Sequence, residues 1–291
     1  MRRLTLVTNP DKCNLRCPLC FLNQRGFAYG KGEMPLYVAV AAIEKYLGLH
    51  EVIPSTMGEP LLYSKFEELL DYCMAIDIPV NLTTNGTFPG VWGNDEGLRK
   101  LVRGCSDIKV SCMGFSEKVV CEMMPGITLE KWKGNVLRLI EAAEKKDDVK
   151  HAASVSLQVT LHKKMLSQAC ELLAWAESVG IARIKWNLPV FISCGERLRA
   201  KYDVGDAEVE LLRKQLRSDK VRSEGSLFFD AAYFADGKAG ICENEYKCRI
   251  FADEVWVMPD GSEQNCPNPE KRFGNPDAPG AMCNHCLMFR R

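Results

Sequence analysis

The sequence carries no net charge: 38 Lys and Arg balance 38 Asp and Glu across 291 residues. That balance gives no general attraction to polyanions, so nucleic acid is not an expected partner. No apolar run approaches the ~18 residues of a membrane span, and no membrane partner is expected. The start, Met1-Arg2-Arg3-Leu4-Thr5-Leu6-Val7-Thr8, lacks the apolar core and small-residue cleavage site of a secretory signal, so the expected compartment is the cytoplasm. Internal repeats and low-complexity segments are also missing. A hydrophobic content of 46% and a charged content of 26% fit a globular chain with room for one large α/β domain and a small appendage.

Cysteine, by contrast, is abundant, with fourteen in all. A disulfide scaffold is not needed in a chain this rich in core residues, and clustered thiols in a reducing compartment bind metal or do chemistry. The clustering is uneven. Cys13, Cys17 and Cys20 open the chain, and Cys242, Cys248, Cys266, Cys283 and Cys286 crowd the last fifty residues. Cys73, Cys105, Cys112, Cys121, Cys170 and Cys194 are single, and a lone cysteine is by default a small buried hydrophobe.

Between the two groups, β-rich runs alternate with helical patterns. Strands are predicted at 4–9, 51–55, 80–84, 108–112, 153–160 and 181–189, and helices at 36–49, 65–76, 96–104, 129–145, 164–179 and 207–216. Six strand–helix units imply parallel strands with crossover helices, too few for a closed eight-stranded barrel. The expected fold is α/β: a partial (β/α)6 barrel over residues 1–220, followed by a small cysteine-rich domain over 221–291. The latter holds one hairpin signal, 254–258 and 262–265 around Pro259-Asp260-Gly261.

The segment Cys13-Asn14-Leu15-Arg16-Cys17-Pro18-Leu19-Cys20 has the spacing C-x3-C-x2-C just after the first strand. A cubane iron–sulfur cluster offers four irons, each normally bound by one thiolate, so three thiolates leave one iron open for catalysis. A zinc site is the alternative, but zinc wants four ligands and the nearest histidine is His50.

These residues resemble the motif of the radical S-adenosylmethionine (AdoMet) superfamily. The resemblance implies that the open iron chelates AdoMet, and that reductive cleavage yields a 5′-deoxyadenosyl radical which takes a hydrogen atom from substrate. One departure is Leu19, where the family usually has an aromatic residue; Phe21 follows the third cysteine instead. Met57-Gly58-Glu59-Pro60 is similar to the family's Gly-Gly-Glu-Pro turn, so Gly58 and Glu59 are implied contacts of the AdoMet ammonium. Further implied cofactor contacts are Thr84 and Asn85 after the third strand, Ser111 on the fourth, Gln158 on the fifth and Asn187 on the sixth.

Cys248, Cys266, Cys283 and Cys286 suit either a four-cysteine zinc ribbon or a fully ligated [4Fe–4S] cluster by spacing alone. C-x9–15-G-x4-C followed by C-x2-C resembles a shortened SPASM, or twitch, domain, which implies one auxiliary cluster because the sequence runs only five residues past Cys286. Cys242 is a spare thiol and His285 a surface polar residue by default.

Two [4Fe–4S] clusters and AdoMet imply a net two-electron oxidation, either dehydrogenation or cross-linking, of a small molecule or peptide. A low-potential donor such as flavodoxin or ferredoxin would supply the electron. Epimerisation is the alternative, with Cys112 or Cys194 as the hydrogen donor. A non-catalytic metal-binding scaffold is the reading from a different class. The chain starts about two residues before its first strand, so no fused leader-recognition domain is expected. The basic and acidic segment 194–206 is expected to be a solvated loop near the mouth.

Overall fold

The computed structural model describes residues 2–26, 32–46, 48–54, 57–145, 153–228, 254–264, 266, 268–282 and 286. Its strands are β1 (Arg2–Leu6), β2 (Leu49–Pro54), β3 (Val80–Thr84), β4 (Cys105–Cys112), β5 (Ser154–Thr160), β6 (Arg183–Asn187), β7 (Arg222–Glu224), β8 (Glu254–Val257) and β9 (Glu263–Gln264). They form one sheet in the order β7-β6-β5-β4-β3-β2-β1-β8-β9, parallel throughout except for the β8–β9 hairpin. Each of β2 to β7 lies beside its predecessor, which is the winding of a barrel.

The expected helices are present as α2 (Leu36–Lys45), α3 (Phe66–Ala75), α4 (Asp95–Gly104), α6 (Leu129–Glu144), α7 (Ala169–Ser178) and α9 (Asp206–Gln215). The sequence reading missed the short α1 (Phe21–Gln24), α5 (Glu117–Met123), α8 (Arg199–Tyr202) and α10 (Pro269–Phe273). Pro35 ends in extended backbone before α2, Asn94 caps α4 through Gly97 N–H, and Thr128 caps α6 through Lys131 N–H. Among the described residues, no helix is long and apolar enough to cross a membrane.

One sheet face is apolar. Leu4, Leu6, Val52, Leu82, Ile108, Val110, Leu157, Ile184 and Trp186 pack there with Ile43, Leu69, Leu101, Leu139, Leu172 and Leu212 of the helices. By strand alternation the other face carries Arg3, Glu51, Asn81, Asp107, Lys109, Ser156 and Arg183. Arg3 pairs with Glu51 at 2.5 Å, Asn81 donates to Glu51 at 2.7 Å, Lys109 binds Asn81 and Asp107, and Arg183 binds Asp107 and Glu224. Gln24, in the loop region beyond β1, bonds Val190 C=O (3.0 Å) and Ile192 N–H (2.9 Å) beyond the end of β6, although five strand steps separate β6 from β1. A flat sheet would hold those strands ~24 Å apart, so the polar face is curled into a lumen.

The hairpin expected in the C-terminal unit is present, closed by Gly261 N–H to Met258 C=O at 2.9 Å with Gly261 at φ +82°. It is not detached from the barrel: β8 pairs in parallel with β1, and β7 extends β6.

Candidate active site

Every barrel strand delivers its C-terminal end to the same rim, and the cysteine loop leaves from the end of β1. Cys20 caps α1, and the amides of Leu22 and Asn23 act on its sulfur, as a helix N-terminus does on an anion. Leu15 N–H reaches Cys13 Sγ at 3.4 Å and the Asn85 amide at 3.8 Å. Burial raises all three thiols, and in Cys17 the nearby Cys20 and Cys13 raise it further. Thiols that disfavour one another's ionisation are gathered around one place, where metal binding would compensate the repulsion.

Among the described residues, no three His, Cys, Asp or Glu side chains converge as a single-ion site. The thiolates of a cubane bind separate irons, so three of them are not required to meet at one point. Three thiols on irregular backbone with amide donors around them fit a cubane.

The turn after β2 locks onto this loop. Gly58 has φ +78°, and a Cβ there would lie inside contact range of the carbonyl oxygens of Asn9 and Lys12, the latter at 2.8 Å. Glu59 N–H donates to Lys12 C=O at 2.9 Å, and buried Asn9 donates to Glu59 C=O at 2.7 Å. Glu59 itself is 1% exposed and accepts from Thr84 Oγ1 (2.7 Å), Asn85 N–H (2.7 Å) and Leu61 N–H (3.3 Å). Burial pushes its carboxyl up to about 7 against those three donors. Replacing Gly58 by Ala is expected to destabilise the fold by at least ~2 kcal/mol, from left-handed strain plus the clash, read as a lowered thermal midpoint.

Asn85, expected as a cofactor contact, has a bracing role among the chain's own residues. Its amide donates to Asn14 at 2.9 Å and its oxygen accepts from Thr87, so it ties the end of β3 to the cysteine loop. Phe21 lies half-buried beside Cys13 and Cys20, against a cluster of Val7, Leu22, Met57, Trp256, Met258 and Phe273. Leu19 turns into a different cluster, with Val119, Met123, Phe191 and Tyr202. Ser111 and Gln158 are paired in register on the lumen face, and Asn187 accepts from Ser226 N–H at 3.4 Å.

The two expected thiol donors part company. Cys112 falls on the apolar face of β4, 1% exposed, with Sγ donating to Gly114 C=O at 3.2 Å and its thiol pushed up to about 12 by burial. As the helix-facing neighbour of Val110, it does not line the lumen, and the expectation of a donor there is corrected. Cys194 is exposed in the turn Ser193–Leu198 beyond β6, on the rim.

Of the C-terminal set, Cys248 and Cys283 lie outside the described residues, as do Cys242, His285, Ser55 and Thr56. Cys266 and Cys286 are half-buried. Asn268, two residues past Cys266, caps α10 and donates to Cys286 Sγ at 3.2 Å. Sequence reasoning also passed over Gln24 and Glu270. Gln24 donates to Leu19 C=O and Val190 C=O and accepts from Ile192 N–H, while Glu270 accepts from Ser193 N–H and Oγ. The strand-exit loop 188–193 thus ties the cysteine loop to the C-terminal segment. A polar residue in a short unforeseen helix was the only signal for either.

A curled parallel sheet with helices outside and a three-cysteine loop at its rim defines a class, and the family comparison agrees. The model of the Radical SAM superfamily matches residues 10–155, and the chain belongs to that superfamily. Among solved structures it is similar to SuiB of Streptococcus suis bound to its precursor peptide SuiA (16% identity, TM-score 0.63, covering 95% of this chain and 61% of that one). It is also similar to anSMEcpe with bound AdoMet (14% identity, TM-score 0.60, covering 91% and 74%). At these identities the likeness is one of fold, and the chain spans about three fifths of SuiB's length. No curated protein matches the chain.

Proposed function

We propose that the chain reductively cleaves AdoMet at a cluster held by Cys13, Cys17 and Cys20, and uses the resulting radical to oxidise a peptide or small molecule. The observation that carries this reading is the single hydrogen-bonded assembly of cysteine loop, Gly58-Glu59 turn and Asn85 at the rim. When bound, the cluster supplies the electron and AdoMet the 5′-deoxyadenosyl group. The chain's own residues hold and orient them: Glu59 sets a negative charge behind the turn, and Asn85 braces the loop. Gly58, Thr84, Asn187 and Phe21 are proposed cofactor contacts, while Ser111 and Gln158, expected in the same role, are kept for the substrate. Flavodoxin or ferredoxin is the proposed electron donor, and a cytoplasmic setting suits thiols that stay reduced.

A peptide substrate is supported by two structural neighbours that hold peptides, SuiB with its precursor peptide SuiA and anSMEcpe with the Cp18Cys peptide. The test of function is anaerobic reconstitution followed by dithionite and AdoMet, with 5′-deoxyadenosine as the expected product. A protein that carries zinc without iron or sulfide, and makes none, would instead be a scaffold.

An auxiliary [4Fe–4S] cluster on Cys248, Cys266, Cys283 and Cys286, in a unit of residues 221–291, is the proposed acceptor of the second electron. Its support is the hydrogen bond from Asn268, two residues past Cys266 in the chain, to Cys286 Sγ. Replacing Cys266 and Cys286 together by Ala is expected to halve the iron bound per chain while leaving AdoMet cleavage in place; unchanged iron content would remove the auxiliary cluster. Epimerisation stays as a second reading because Cys194 is exposed on the rim. Solvent deuterium at one product carbon would favour it over dehydrogenation.

A further inference from the structure

The lumen has a saturated floor and an unsaturated belt above it. In the floor, Arg3, Glu51, Asn81, Asp107, Lys109, Ser154, Ser156 and Arg183 satisfy one another. One or two steps toward the rim on the same face stand Thr83, Ser111, Gln158 and Lys185, the last three linked by the β4–β5–β6 register. All four are half-buried, and none has a side-chain hydrogen bond or ion pair among the described residues. None is among the sealed, unpartnered polar atoms either, so their polar ends reach open space within the lumen.

Lys185 is the cation of this belt. The acids whose charges reach it are already engaged: Glu224 by Arg183 (3.3 Å) and Arg222 (3.1 Å), Glu254 by Thr5 (3.0 Å). Burial and the charges of Arg3 and Arg183 hold its ammonium below the usual lysine range, so a counter-ion is wanting. Gln158 on the adjacent strand and Ser111 one strand further put neutral hydrogen-bonding side chains beside one cation, which suits a singly charged, planar anion better than a phosphate.

We infer that Lys185 receives a carboxylate of the substrate, with Ser111 and Gln158 beside it, so that the substrate class is a carboxylate-bearing molecule such as a peptide presenting Asp or Glu. This rests on the radical-enzyme reading above and names the substrate of that same lumen. AdoMet also has a carboxylate, and the test separates the two sources.

The probes are N-acetyl-aspartate N-methylamide and its asparagine counterpart, titrated calorimetrically into the cluster-reconstituted full chain saturated with AdoMet. The aspartate probe is expected to bind about tenfold tighter than the asparagine probe, as a charge-assisted hydrogen bond allows. Lys185→Met should erase the difference, Lys185→Arg should keep part of it, and AdoMet affinity should stay within about threefold in both, since a lost ion pair would cost more. Equal affinities for the two probes, or no saturable binding of the aspartate probe, overturn the assignment. So does a Lys185→Met protein that loses AdoMet affinity while binding decarboxylated AdoMet as before, because the cofactor then owns the lysine. Preferential binding of inorganic phosphate would overturn the carboxylate. A protein that discriminates the probes but makes no 5′-deoxyadenosine would sink the radical reading and leave the anion site standing.

Discussion

Cys17→Ala is expected to abolish 5′-deoxyadenosine formation in the dithionite assay. Cys17 is the middle thiol of the loop, and its sulfur is the one pushed up by both neighbouring cysteines as well as by burial. Two thiolates cannot retain a cubane that normally takes three or four, so bound iron at the N-terminal site should fall with the activity. The fold should survive, because a cysteine to alanine change in a half-buried loop removes one sulfur that packs only at the edge of the core. Iron and sulfide analysis beside a thermal melt separates the outcomes. A Cys17→Ala protein that keeps its iron and still cleaves AdoMet would remove the trio from the mechanism.

Glu59→Ala should be the most damaging change away from the cysteines. It strands Thr84 Oγ1–H, Asn85 N–H and Leu61 N–H, all donating to one buried carboxylate. Truncating one partner of a buried charged network costs ~3–5 kcal/mol, a large share of a domain's stability. Glu59→Gln keeps the volume but turns an NH2 toward a donor, so a smaller loss is expected.

The pH behaviour follows from the carboxyl's position near 7, above its ordinary 4.5. A folded-state value above the unfolded one means this group favours the fold fully below about 4.5, and that contribution fades as pH rises through about 7. Binding the AdoMet ammonium needs the ionised form, so cofactor affinity should move oppositely, tightening between about pH 6 and 8. A pH-independent affinity in the wild type, or an unchanged slope in Glu59→Gln, would take Glu59 out of that contact.

Much of this was legible in advance for local reasons. The six main strands and helices announced themselves by apolar period, and the cysteine spacing and Gly-Glu-Pro turn marked the rim. Cys112 was misread because a strand-end position does not say which face its parity selects; the apolar company of Ile108 and Val110 settles it. Helix α5 has too few turns for a period to show, and β7 is three residues long. The pairing of β8 with β1, the caging of Gly58 by Asn9 and Lys12, and the bond from Ser193 to Glu270 are contacts between remote segments, invisible to any local pattern. Lys185 looked like an ordinary strand lysine until the neighbouring acids proved to be taken.

The union of the first strand with one made late sets an order of events during synthesis. Thr5 and Glu254 are 249 positions apart, and at ~5–20 residues per second the ribosome needs tens of seconds to cover that distance. Until then β1 presents an open ladder on one side, and Trp256, which packs near Cys13 and Cys20, has not arrived. The cysteine pocket is therefore completed only after β8 has been made, and iron delivered earlier meets a half-walled nest.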